Sequence, residues 1–166
     1  MRQLIRKILT EELSNIKVRR YNPQTDFDII FENLSLVFYK TGLSNEEIIN
    51  EIKPIDVDSS IVIEKNGQLV GFYFLRRNQI PEKFNPEVFK KLKELNGVEG
   101  VALGVFNEFK NEGIGKHLIN YPKTMGFDYI WGYQYESLGN ISYWLKRRKL
   151  YGFDSEDNSY LTYQVY

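Results

Sequence analysis

The residues of this chain whose spacing says most about chemistry lie between positions 99 and 119, EGVALGVFNEFKNEGIGKHLI. An apolar run of strand character, Val98 to Phe106, passes through a polar turn into a glycine-rich corner, Lys110-Asn111-Glu112-Gly113-Ile114-Gly115, which opens an expected helix. Glycines let the backbone turn tightly and bring several N–H groups to one point, and a helix N-terminus adds partial positive charge. The corner therefore suits an anion, a phosphate or pyrophosphate above all, although a turn that only needs flexible residues explains Gly-x-Gly equally well. Two phosphate motifs are excluded. A Walker loop needs Gly-x4-Gly-Lys-Ser/Thr, yet Gly115-Lys116 is followed by His117 and no glycine stands at position 110. A dinucleotide fingerprint needs a third glycine where Leu118 stands, and a tighter turn between strand and helix.

The segment resembles the acetyl-CoA-binding segment of the GNAT superfamily of N-acetyltransferases. In that family a strand ending in Leu-x-Val leads through a short turn to Arg/Gln-x-x-Gly-x-Gly/Ala at a helix start. Here the pattern is met by Leu103-Gly104-Val105, then Asn107-Glu108-Phe109, then Lys110-Asn111-Glu112-Gly113-Ile114-Gly115. Lys110 departs from the usual Arg or Gln; with Lys116 it can still favour a diphosphate as a point charge. The resemblance implies acetyl-CoA as cofactor, held by Leu103–Val105 and Lys110–Lys116, and transfer of its acetyl group to a primary amine.

That transfer needs a base, because an unperturbed ammonium has a pKa of roughly 10, and donors for the oxyanion. The thiolate leaves with a pKa of roughly 8.5, so an acid helps without being indispensable. Glu99 is the candidate base: it precedes Lys110 by the spacing of the catalytic glutamate in the histone-acetylating branch, and burial would raise its pKa usefully. The plain alternative is a solvated strand-end carboxylate. Many family members then read Asn-x-x-Ala-x-x-x-Tyr followed by Gly-Phe. This chain offers Asn140, Tyr143 in place of Ala, Arg147 in place of Tyr, and Gly152-Phe153 one residue late. Tyr143 and Tyr151 are the candidate acids. Asn140 either contacts the pantetheine arm or caps its helix. His117 reads as a surface or packing residue rather than a catalytic one. The basic run Lys146–Lys149 reads as a solvated helix face, or else as a dock for an acidic acceptor or the adenosine 3′-phosphate. Tyr129, Tyr133, Tyr135, Tyr160, Tyr163 and Tyr166 read as strand packing.

The elements that must position these residues are legible as periodicities. Residues 1–16 have an apolar stripe at helical spacing. A strand follows at 17–21, then a helix capped by Thr25 or Asp26 and running to near Gly42, then a helix behind the capping box Ser44-Asn45-Glu46-Glu47. Asn66-Gly67 between two apolar runs marks a hairpin. A helix starts at Asn85-Pro86, the glycine strand and its helix run to about Thr124, and a strand is expected at 128–134. A helix from Asn140 to Leu150 and strands at 151–153 and 159–166 close the chain. The order from residue 17 onward is that of the resembled family. It implies an α/β (α+β) fold, a mixed, mostly antiparallel sheet flanked by helices, with an extra helix at 1–16 ahead of one domain at 17–166.

Composition narrows the setting. In 166 residues, 22 basic balance 22 acidic side chains, so no basic field points to nucleic acid. Absence of cysteine removes disulfides and thiolate sites, and one histidine removes a multi-histidine metal site. No secretory h-region and no apolar run near 18 residues stand out, so a cytoplasmic protein without a membrane span is expected. The second reading is a GNAT-like coenzyme A-binding module without turnover. A third is an interaction protein docked as a homodimer or on a larger assembly through residues 1–16. The amine acceptor, small molecule or protein, is not selected by any residue; helices in 25–53 and the 76–96 insertion should choose it.

Overall fold

The hairpin at Asn66-Gly67 turns with both residues at positive φ, 53° and 79°, the hand that suits two antiparallel strands. It joins β2 (Ile61–Lys65) to β3 (Gln68–Arg76). The computed structural model describes residues 15–38 and 42–166. With β1 (Ile16–Arg20), β4 (Gly97–Val105), β5 (Tyr129–Tyr135), β6 (Lys149–Asp154) and β7 (Ser159–Val165), these strands form one seven-stranded sheet of order β1-β2-β3-β4-β5-β7-β6. Only β4 and β5 run parallel. The expected mixed, mostly antiparallel α/β architecture is present. The helix expected over residues 1–16 lies outside the described residues except at its end, where Ile16 opens β1 opposite Lys65.

Helices cover both faces of the sheet. α1 (Pro23–Phe38) and α2 (Asn45–Ile52) set Ile30, Leu34, Ile48 and Ile52 against Val62, Phe72, Phe74 and Ala102. On the other face, Ile114 and Leu118 of α4 (Ile114–Thr124) pack on Ile63, Val70, Leu75, Val98 and Ile130. The 76–96 insertion carries α3 (Pro86–Leu92), and its Ile80 and Leu92 join Tyr129, Trp131, Tyr151 and Leu161 in a third cluster.

Local chemistry sets the boundaries. α1 begins earlier than expected: the Gln24 N–H donates to the Asn22 side chain at 3.0 Å, and Pro23 needs no partner for a missing N–H. Asp26 instead turns into the protein. At α2 the Ser44 side chain accepts from the Glu47 N–H while the Glu47 carboxylate accepts from the Ser44 N–H, the reciprocal bonds of a capping box. Ser44→Ala should cost about 1 kcal/mol, read as a lowered urea midpoint at unchanged slope. The helix expected at 140–150 is cut to α5 (Ile141–Leu145), because Lys149 and Leu150 pair with Tyr163 and Thr162 of β7. The backbone there belongs to the sheet.

Candidate active site

β4 and β5 are paired only over Gly97–Glu99 against Tyr129–Trp131. Beyond that β4 stays with β3 as far as Val105, β5 stays with β7 as far as Tyr135, and the two strands part. A Cβ on Gly132 would stand 2.7 Å from the Gly100 carbonyl oxygen, so only glycine lets the backbones meet at this apex. A register slip between Phe74↔Ala102 and Leu75↔Gly100 leaves Val101 as a bulge just past it, re-aiming the strand where pairing ends. From Gly100 to Val105 the β5-facing edge of β4 has no strand partner, and a cavity of about 510 Å³ runs along it.

At the far end of β4 the chain makes a short 3₁₀ turn, Asn107–Phe109, and reaches the glycine corner. Asn111 and Gly113 take positive φ, 71° and 80°, the left-handed region that favours glycine. Among the described residues no acceptor takes the N–H groups of residues 111–115. Lys65 Nζ holds the Glu112 carboxylate at 2.6 Å, partly neutralising the one acid of the corner.

No family model matches this chain, and no curated protein matches it. Solved structures do. PaiA N-acetyltransferase from Thermoplasma acidophilum, in complex with coenzyme A, is 17% identical and superposes with a TM-score of 0.58 over 91% of this chain and 99% of that one. A GNAT-family acetyltransferase from Streptococcus agalactiae is 13% identical, with a TM-score of 0.63 over 91% and 95%. An Arabidopsis thaliana protein bound to the bisubstrate analogue CoA-Ac-MVNAL is 14% identical, with a TM-score of 0.59 over 92% and 99%. This chain has the GNAT acetyltransferase fold.

Within that GNAT fold the structure brings five of the eleven predicted cofactor residues to the cavity. Leu103, Gly104, Val105, Lys110 and Asn140 line the cavity. Gly113 caps α4 by backbone geometry alone, Gly115 and Lys116 lie in its first turn, and the Ile114 side chain is core. Asn140 stands at the N-cap position of α5, but its side chain caps nothing. Its Oδ1 is buried and has no hydrogen-bond partner among the described residues.

Glu99 is 6% exposed. Asn78 Nδ2 donates to its Oε2 at 3.3 Å, and Arg76 Nε stands 3.4 Å from the same oxygen without hydrogen-bond geometry. Burial raises its pKa above the ordinary carboxylate value; Arg76 and Asn78 oppose the rise and Glu51 adds to it. Glu99 lies opposite Arg76 on the sheet, in the last β4–β5 pair before the strands part in a wedge, and is not among the residues that line the cavity. Arg76 Nη2 also reaches Glu51 of α2 at 3.7 Å. A second cleft of about 370 Å³ is lined by Glu47, Glu51, Asp157 and Tyr135, and Tyr135 also lines the first. Burial, then the surrounding carboxylates, push the Tyr133 and Tyr135 phenols up to about 12.

Neither candidate acid reaches this place. Tyr143 is exposed on α5, with the Arg147 guanidinium 3.6 Å over its ring. Tyr151 is buried in the third cluster, its hydroxyl 2.6 Å from the Pro81 carbonyl oxygen and 3.2 Å from that of Asn85, where it ties the insertion to β6. His117 is exposed, as expected. Three groups were missed. Tyr133 and Tyr135, read as packing, line the cavity, and so does Arg148 of the supposed solvated run. Lys146, Arg147 and Lys149 are exposed, whereas Arg148 is buried. The lateness of Gly152-Phe153 was the available signal. Slid by one residue, the family pattern puts Trp144 in the alanine place and Arg148 in the tyrosine place. Among the described residues no acidic or histidine cluster could hold a metal ion, and no helix is long and apolar enough to cross a membrane.

Proposed function

We propose that this chain is a coenzyme A-dependent N-acetyltransferase that moves the acetyl group of acetyl-CoA to a primary amine. One observation carries the reading: the unpaired β4 edge, Gly100 to Val105, leads from the apex to the unpartnered N–H groups of residues 111–115. The diphosphate suits that corner with Lys110 and Lys116 nearby, the pantetheine arm suits the strand edge, and Asn140 lines the same cavity. The coenzyme A bound by the Thermoplasma acidophilum protein supports the same assignment.

In the reaction the amine nitrogen attacks the thioester carbonyl, the C–S bond breaks, and coenzyme A leaves as thiolate. Glu99 takes the amine proton, directly or through one water, and its raised pKa suits a base working near neutrality. The acidic cleft of Glu47, Glu51 and Asp157 suits an acceptor that arrives as an ammonium. The test is free-thiol release from acetyl-CoA with polyamines, aminoglycosides, amino acids, lysyl peptides and free peptide N-termini. Amine-dependent release is expected. Coenzyme A binding without any such release would favour the second reading, a coenzyme A-binding module docked through residues 1–16, which the exclusion of Tyr143 and Tyr151 from the cavity favours.

A further inference from the structure

A guanidinium is buried where β4 and β5 part. Arg148 is 5% exposed, and among the described residues no carboxylate stands within ion-pair distance of it. Its Nη2 donates to the Tyr73 hydroxyl at 3.0 Å, and its plane lies over Trp144 with 4.4 Å to the ring centroid. Its Nε is buried and has no acceptor. Both strands of the apex are close at hand. A Cβ on Gly132 would stand 3.7 Å from Nη1, and one on Gly100 would stand 2.5 Å from the Tyr73 hydroxyl. Arg148 thus forms part of the cavity wall at its closed end.

Arginine stays charged at any pH where a protein folds. Taking it out of water with a donor left unused is unfavourable, and an anion bound in the cavity would offset that. The diphosphate is not that anion. Five residues of extended strand, about 16 Å, separate Gly100 from Val105, and the glycine corner lies beyond. What arrives at the apex is the acyl end of the donor. An acetyl group would set its methyl against the guanidinium and leave Nη1, which has no acceptor among the described residues, unsatisfied. A carboxylate one or two carbons past the thioester carbonyl would offer two oxygens to the planar fork.

We propose that the donor site takes coenzyme A thioesters whose acyl chain ends in a carboxylate, the half-thioesters of malonic and succinic acid, and holds them more tightly than acetyl-CoA. This rests on the coenzyme A reading above. The experiment is calorimetric titration of the full chain with acetyl-, malonyl-, succinyl- and isovaleryl-CoA, the last being an uncharged match for the malonyl group in shape. The wild type should bind malonyl- or succinyl-CoA at least tenfold more tightly than isovaleryl-CoA and more tightly than acetyl-CoA. Arg148→Met should erase the gap between malonyl- and isovaleryl-CoA, and Arg148→Lys should leave part of it, since the charge stays and the fork is lost. Binding of both malonyl- and succinyl-CoA by the wild type no tighter than that of isovaleryl-CoA overturns the inference without recourse to any variant. A preference that survives in Arg148→Met overturns it too. A wild type that binds no thioester overturns the coenzyme A reading itself, whereas one that binds acetyl-CoA without a malonyl or succinyl preference overturns only the role of Arg148.

Discussion

Glu99→Gln should lower the amine-dependent rate at pH 7 by about 10²–10⁴, the usual worth of general-base catalysis. The amide can still accept from Asn78, so the fold and acetyl-CoA affinity should hold, but it cannot take a proton. The pH profile carries the sign. Burial lifts the Glu99 pKa above the ordinary carboxylate value, so the wild-type kcat/KM should fall as pH drops through that raised value and the base is protonated. In the variant this acid limb should vanish. Its rate should instead climb as pH rises toward the acceptor's own pKa, roughly 10, because more free amine is then present without help. Full activity at pH 7 in Glu99→Gln would move the base to another residue.

Asp26→Asn should cost about 3 kcal/mol of stability, the low end for breaking a buried ion pair, or roughly 6–12 °C in Tm for a chain of this size. Asp26 is 2% exposed. Arg19 donates to its two oxygens at 2.7 and 2.8 Å, and the Asn22 N–H donates at 2.8 Å. The Arg19 side chain is itself 27% exposed and also pairs with Glu64 at 2.6 Å, which is why the low end applies. Burial disfavours the Asp26 charge, but Arg19, the Asn22 N–H and the Thr25 hydroxyl outweigh it and lower the pKa. A carboxylate whose folded pKa is depressed contributes stability above its unfolded value, about 3.9, that is lost as pH falls through the folded value. The wild type should therefore lose this increment on acidification and Asp26→Asn should not, so their melting temperatures should converge at low pH. A constant gap would contradict the ion-pair explanation.

What could be read in advance was local. The Asn66-Gly67 turn, the Ser44–Glu47 box and the strand-to-helix passage at 98–124 depend on residues within a few positions of each other, and all three appear. The site depends on distant ones. That β4 and β5 meet as far as Gly100 depends on Gly132, thirty-odd positions away in sequence, that they then part goes with the bulge at Val101, and no periodicity marks either. Alternation told which tyrosines share a face of β5 but not that Tyr133 and Tyr135 face a cavity. Tyr151 looked available only while residues 146–150 were taken as helix. Pairing of Lys149 and Leu150 with β7 turns it toward the insertion instead. Arg148 sat in a run of four basic residues, and a run of charge looks solvated until the packing of Trp144 and Tyr73 around one member is known.

The central claim is that the glycine corner and the wedge bind coenzyme A, and Gly115 tests it most directly. A Cβ there would meet only Val105 Cγ2, at 3.8 Å, so the fold has room for a side chain while the approach to the N–H groups does not. Thermal unfolding should be followed with and without acetyl-CoA in the wild type and in Gly115→Val. At a hundredfold excess over Kd the wild type should gain about 2.7 kcal/mol, or roughly 5–11 °C in Tm. Gly115→Val should melt near the wild-type apo temperature and gain nothing. An equal gain in the variant, or none in the wild type, would contradict the assignment.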